Sequence, residues 1–191
     1  MSIIDSRKFQ FVLLLIIISI LTLSLLFSIK FVFKILYPFH YRDLIEKYSA
    51  EYNLDPFLVA AIIRVESKFN EKAVSPKGAK GLMQISSTTG KWASKELGIK
   101  EYHEELLFNP NINIKIGCWY LNVLNKEFDN NLSLVLAAYN GGSGNVNKWL
   151  KDIRYSDDGY ILKDIPFAET KAYLEKVYRN LKTYKILYER D

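Results

Sequence analysis

The stretch "PFLVAAIIRVESKFNEKAVSPKGAKGLMQIS", Pro56 to Ser86, decides how this chain is read. Its first half is an apolar run with a clear start signal: Asp55 stands where an N-cap acid belongs, and Pro56 fits the first helical position. A helix so nearly apolar on all sides should be central in a core. The run ends on Glu66, just before a loop carrying Ser75-Pro76, Gly78 and Gly81. For packing alone, a carboxylate there is a poor choice.

Working outward, the flanking segments also read as helices. "YRDLIEKYSAEYN" places Leu44, Ile45, Tyr48 and Tyr52 at helical spacing. "SSTTGKWASKELG" is a capped helix stopped by Gly98. Asn109-Pro110 opens a long helix with Ile112, Ile116, Tyr120, Leu124 and Phe128 along one face. "NLSLVLAAYNGG" is a short helix ended by glycines, "GNVNKWLKD" is another, and Pro166 opens a last one that runs to about Tyr188. The one candidate for strand is a short hairpin near Tyr160-Ile161. The expected fold class is all-α.

Toward the N-terminus, Phe11 to Ile29 is 19 residues without a charge, enough to cross a hydrocarbon core of roughly 30 Å as a helix. Lys30 and Lys34 come next, where long amines snorkel to an interface. A cleaved secretory signal is the competing reading, but its apolar core would be shorter and end in small residues at a cleavage site. The expected organisation is a tail over residues 1–10, a transmembrane anchor over 11–37 and one domain over 38–191. Basic residues flank the span on both sides, so charge alone does not orient it.

The net charge of +5 implies no nucleic-acid partner. Residues 1–37 hold four basic residues and one acid, leaving 22 basic and 20 acidic for the domain, a near balance. Cys118 is the only cysteine, which excludes an intrachain disulfide and a cysteine-based metal cluster; it reads as a small core residue. His40 and His103 make no metal-ligand spacing. Neither a metal nor a cofactor is expected.

Three punctuated motifs remain: Glu66-Ser67, Gly81-Leu82-Met83-Gln84-Ile85 and Ala138-Tyr139-Asn140-Gly141-Gly142. Taken alone, each has a plain structural reading: a half-exposed helix-end acid, core residues, and a helix C-cap. Together, in this order and at these spacings, they resemble the catalytic domain of the SLT-type (family 1) lytic transglycosylases, which is goose-lysozyme-like. The resemblance covers roughly residues 41 to 188. Ala73-Val74-Ser75, Gly78-Ala79, Pro110, Asn113, Gly117, Tyr120 and Leu121 also fit, and "IPFAETKAYLEKV", Ile165 to Val177, looks like the family's final motif. Asn109 and Lys171 depart from it, standing where Asp and Arg are common.

Cleaving a glycosidic bond needs an acid to protonate the leaving oxygen. A carboxyl at the end of an apolar helix is partly desolvated, which raises its pKa and holds the proton near neutral pH. Most glycosidases need a second carboxylate, yet neither the Gly81–Ile85 nor the Ala138–Gly142 segment has one. The resemblance implies instead that the muramic acid 6-hydroxyl attacks C1, with Glu66 as acid and then base, giving a 1,6-anhydro sugar. It further implies that Ser67 supports the acid or the substrate, that Met83 and Gln84 contact sugar, that Tyr139 orients Glu66, and that Asn140 lines the cleft. Glu169 would be a substrate-facing acid; a helix-N-terminal, dipole-stabilised site is its plain alternative.

The expected partners are therefore peptidoglycan glycan strands and, through the N-terminal helix, a membrane, with the domain on the extracytoplasmic side. Two rivals stay open on sequence: a hydrolytic goose-type lysozyme, and a non-catalytic glycan-binding or assembly protein.

Overall fold

A computed structural model describes residues 3–189, and every regular element among them is helical. The chain divides into two units, Met1–Phe39 with Leu187–Asp191, and His40–Ile186.

The first unit carries α1, Ile3–Leu36. Its stretch Lys8–Leu36, 29 residues with a mean hydropathy of 2.9, is long and apolar enough to cross a membrane. At the usual helical rise this is about 43 Å. The hydroxyls of Thr22 and Ser28 donate to the carbonyls of Ser19 and Ser24, each at 2.8 Å, so these two polar groups are satisfied within the helix. Of the expected N-terminal tail, residues 3–10 continue α1 and residues 1 and 2 lie outside the described residues, as do residues 190 and 191 of the expected domain.

The second unit is built from α2 (Arg42–Glu51), α3 (Pro56–Glu66), α4 (Ser87–Glu96), a short 3-10 helix (Glu104–Phe108), α5 (Pro110–Glu127), α6 (Leu132–Gly141), α7 (Ser143–Leu150) and α8 (Ala168–Tyr188, to Ile186 in this unit). Local chemistry sets the starts. Asp55 accepts from the Phe57 N–H, Ser86 from Thr89, Asn109 from both Asn111 and Ile112, and Asn131 from Leu134. Gly98 and Gly142, at φ of 62° and 86°, turn the chain out of α4 and α6.

Residues Val59 to Ile63 of α3 are completely buried, as expected of a central helix, and Leu136 to Ala138 of α6 share that core. Each large aliphatic side chain so buried contributes on the order of 2 kcal/mol. On α5 the expected stripe is only half realised: Ile116, Leu124 and Phe128 are buried, while Ile112 and Tyr120 are half-exposed. The deeper face carries Asn113, Ile114, Gly117, Cys118 and Leu121.

The hairpin expected near Tyr160-Ile161 does not form. The Asp158 carboxylate accepts from the N–H groups of Tyr160 and Ile161, at 2.8 and 2.9 Å, and folds the segment into a side-chain turn. β-type pairing occurs instead in the loop after α3, where isolated bridges join Val74 to Lys80 and Lys80 to Ile85.

Candidate active site

Glu66 is the last residue of α3, and half-buried. Its carboxyl is pushed up to about 7, chiefly by burial. The nearby Tyr173 hydroxyl opposes that shift, and the negative charge of Glu169 adds to it. A proton is therefore held near neutrality on a group that keeps some access to solvent.

The loop after Glu66 is tied down at several points. The Ser67 hydroxyl lies 2.8 Å from the Leu82 carbonyl and 3.2 Å from that of Ile63, joining the end of α3 to the Gly81–Ile85 segment. The fully buried Asn113 side chain clamps the same segment from α5. Its amide donates to the carbonyls of Lys80 (2.9 Å) and Leu107 (2.7 Å), and its oxygen accepts from the Met83 N–H (2.8 Å). Gly81, at φ of 77°, passes so close that an added Cβ would stand 2.2 Å from the Leu107 carbonyl oxygen. Lys80 bonds Glu104 at 2.7 Å, and Ser87 donates to the other oxygen of that carboxylate.

Met83, expected against sugar, is 0% exposed, and its sulfur fills the space above Gly117. Gln84 holds a left-handed backbone at φ of 48°, and its side-chain NH2 donates to the carbonyls of Ala73 and Gly81. Both amide donors are thus spent on the loop, which leaves the side-chain oxygen as an acceptor at the surface of the site.

Tyr139 corrects an expectation. Its hydroxyl donates to the Met83 carbonyl at 2.8 Å and so braces the loop, while the residue lies close enough to feel the charge of Glu66. The hydroxyl that acts on Glu66 itself is that of Tyr173, from α8. It is buried without a formed hydrogen bond and lies close enough to the Glu66 carboxyl to favour the ionised form. Burial pushes both phenols well above their ordinary pKa, so both remain donors. Asn140 accepts from the buried Thr170 hydroxyl at 2.8 Å, which joins the end of α6 to the start of α8. Glu169 is 76% exposed and stands 3.8 Å from Lys77 on the loop tip; it reaches Glu66 through its charge rather than by contact.

Tyr139, Tyr173 and Glu169 thus lie within reach of Glu66; Ser67 and Gln84 fasten the adjoining loop over the buried Met83, and Asn140 ties α6 to α8. Sequence reading misses Tyr173, Thr170 and the clamping role of Asn113. The available signal is a polar side chain recurring on an otherwise apolar face: Thr170, Tyr173, Leu174 and Val177 along α8. Among the described residues, no group of three or more His, Cys, Asp or Glu is placed to hold a metal ion.

The role given to Tyr173 has a direct check. Because its hydroxyl favours the carboxylate, Tyr173→Phe should raise the Glu66 pKa further above the ordinary carboxylate range. A carboxyl-carbon NMR titration would read it. An unchanged midpoint would assign Tyr173 to packing alone.

Residues 43–161 match the family model of the transglycosylase SLT domain. The soluble lytic murein transglycosylase of Salmonella typhimurium is 37% identical over 143 residues, covering 74% of this chain and 22% of that protein. The membrane-bound lytic murein transglycosylase C of Edwardsiella ictaluri is 32% identical over 177 residues, covering 76% and 46%. The structure of the 70 kDa soluble lytic transglycosylase of Escherichia coli superposes with a TM-score of 0.73 at 34% identity, over 81% of this chain and 25% of that one. This chain thus spans less than half the length of these relatives. All-helical, lysozyme-like and built around the matched motifs, it belongs to the transglycosylase SLT domain family.

Proposed function

We propose that this protein is a membrane-anchored lytic transglycosylase that cuts the β-1,4 bond between N-acetylmuramic acid and N-acetylglucosamine in peptidoglycan. The observation that carries this is Glu66: a carboxyl at the end of a core helix, held protonated to about pH 7 by burial. The names of the relatives, lytic murein transglycosylases both soluble and membrane-bound, support the same reading.

In the first half of the reaction the Glu66 proton passes to the glycosidic oxygen as the C1–O bond breaks and positive charge grows at C1. In the second, the Glu66 carboxylate takes the proton of the muramic acid 6-hydroxyl as that oxygen bonds to C1. The acid is restored, and no water is consumed. Tethering the nucleophile to the same sugar gives it the advantage of an intramolecular reaction. Among the described residues, the carboxylate whose charge reaches Glu66 is Glu169, exposed and next to Lys77, a poor candidate to deliver a water.

Digestion of purified sacculi in ¹⁸O-labelled water tests the route. Muropeptides ending in 1,6-anhydromuramic acid, unlabelled at C1 and without new reducing ends, are expected by mass spectrometry. Labelled reducing muramic acid as the main product would make the enzyme a lysozyme. Intact sacculi would leave a non-catalytic glycan-binding protein.

The anchor carries its own expectation. The full-length protein should sediment with membranes and resist extraction by high salt, because about 43 Å of apolar helix holds it there. Since the substrate lies outside the cytoplasm, the domain should face outward, and protease added to intact spheroplasts should remove it. A full-length product in the soluble fraction would refute the anchor, and a protected domain would refute the orientation.

A further inference from the structure

A line of aromatic rings leads away from the acid. Tyr139 lies 5.6 Å, centroid to centroid, from Tyr120 of α5; Tyr120 lies 6.2 Å from Trp92 of α4; and Trp92 lies 4.7 Å from Trp119 in an edge-to-face contact. The series begins beside Glu66 and leads to Trp92, whose indole is 44% exposed, while Tyr120 and Trp119 are half-exposed. Packing between α4 and α5 would be served by burying both indoles, as Trp149 is buried under Phe167 elsewhere in the domain.

From this we propose that Trp92, presented by Trp119 and Tyr120, is a sugar-stacking subsite for a part of the glycan strand beyond the bond being cut. The inference rests on the glycan reading above. Its chemistry is that of a pyranose: one face carries axial C–H groups with little polarity, and these pack on the electron-rich face of an aromatic ring. The Trp119 ring, tilted 73° to that of Trp92, holds the indole by its edge contact. The strip is continuous with the catalytic acid and lies on helices packed in the core, so a strand docked at Glu66 has a fixed second point of contact. Its contribution grows with strand length, because a glycan too short to reach Trp92 gains nothing from it.

The test uses the full chain in detergent with Glu66→Gln, so that strands are bound and not consumed. Calorimetric affinity for purified long peptidoglycan strands and for their disaccharide unit is compared with and without Trp92→Ala. Long strands should bind about five- to tenfold more weakly in the double variant, the size of one aromatic contact, and the disaccharide should change little. Trp92→Phe should recover most of the loss. Equal weakening for both ligands, or no weakening of either, would overturn the subsite while leaving the glycan reading intact. Trp92→Ala that fails to fold leaves the Trp92→Phe variant and a direct reading. In the Glu66→Gln chain, long strands but not the disaccharide should shift the tryptophan fluorescence, and an unshifted spectrum with bound strands would also overturn the subsite. Absence of any strand binding or cleavage by the unsubstituted chain would bring down the glycan reading and the subsite with it.

Discussion

On the proposed function, Glu66→Gln should abolish glycan cleavage, by at least about 100-fold and up to the 10⁴-fold typical of losing general acid catalysis, while glycan binding should persist. Glutamine keeps the size and polarity of the side chain but cannot give up a proton. The same substitution changes stability with a definite sign. The folded-state pKa of Glu66 is raised above its unfolded value of 4.5, to about 7. Between those values the folded state binds more protons, so the native chain loses stability as pH rises through the window. Glutamine has nothing to ionise. The variant should therefore be more stable than the parent at pH 8, by roughly 2 kcal/mol once the partial solvation of a half-buried carboxyl is discounted, and nearly equal to it at pH 4. Chemical denaturation at the two pH values measures this. A variant less stable than the parent at pH 8 would mean the carboxylate is favourably solvated, and activity above a tenth of the parent's would remove Glu66 from the chemistry.

Gly81→Ala has the largest expected effect on the fold. Two independent penalties coincide there: a left-handed backbone at φ of 77°, and a Cβ that would sit 2.2 Å from the Leu107 carbonyl oxygen and 2.3 Å from the Asn113 amide nitrogen. The first costs roughly 1 kcal/mol. The second forces apart the buried Asn113 clamp, where each lost bond costs about 1–3 kcal/mol. A total near 3 kcal/mol would lower the melting temperature by about 6–12 °C for a domain of this size. Gly78 is the internal control. It shares the left-handed conformation, at φ of 80°, but nothing lies within 4 Å of its added Cβ, so Gly78→Ala should show the backbone penalty alone. Equal shifts for the two variants would mean that the clamp yields.

Whatever local chemistry encodes is legible in the sequence. The caps at Asp55, Ser86, Asn109 and Asn131 and the glycine exits of α4 and α6 depend on neighbours a few residues away. The placing of Glu66 at the end of a core helix is legible for the same reason. Tyr173 is not, because α8 has an amphipathic pattern that tells which face is buried but not what that face meets. Tyr139 is readable as to place but not as to partner: a phenol in a cleft can reach either a carboxyl or a carbonyl, and only the loop's path past α6 decides. Met83 escapes for a related reason. Its neighbour in sequence, Gln84, turns outward, and the buried side of the segment is set by Gly117 from α5.

The acid and the helix that tunes it stand far apart in the order of synthesis. Glu66 is made early, yet Tyr173 and Thr170 come from α8, the last helix among the described residues and beyond residue 161, where the match to the family model stops. A growing polypeptide therefore carries the three punctuated motifs, through Gly142, before it carries the helix that completes the site. Until α8 docks, Glu66 lacks both the Tyr173 hydroxyl that favours its carboxylate and the Glu169 charge that opposes it. The acid's final electrostatic setting therefore waits on a helix made about a hundred residues after the acid itself.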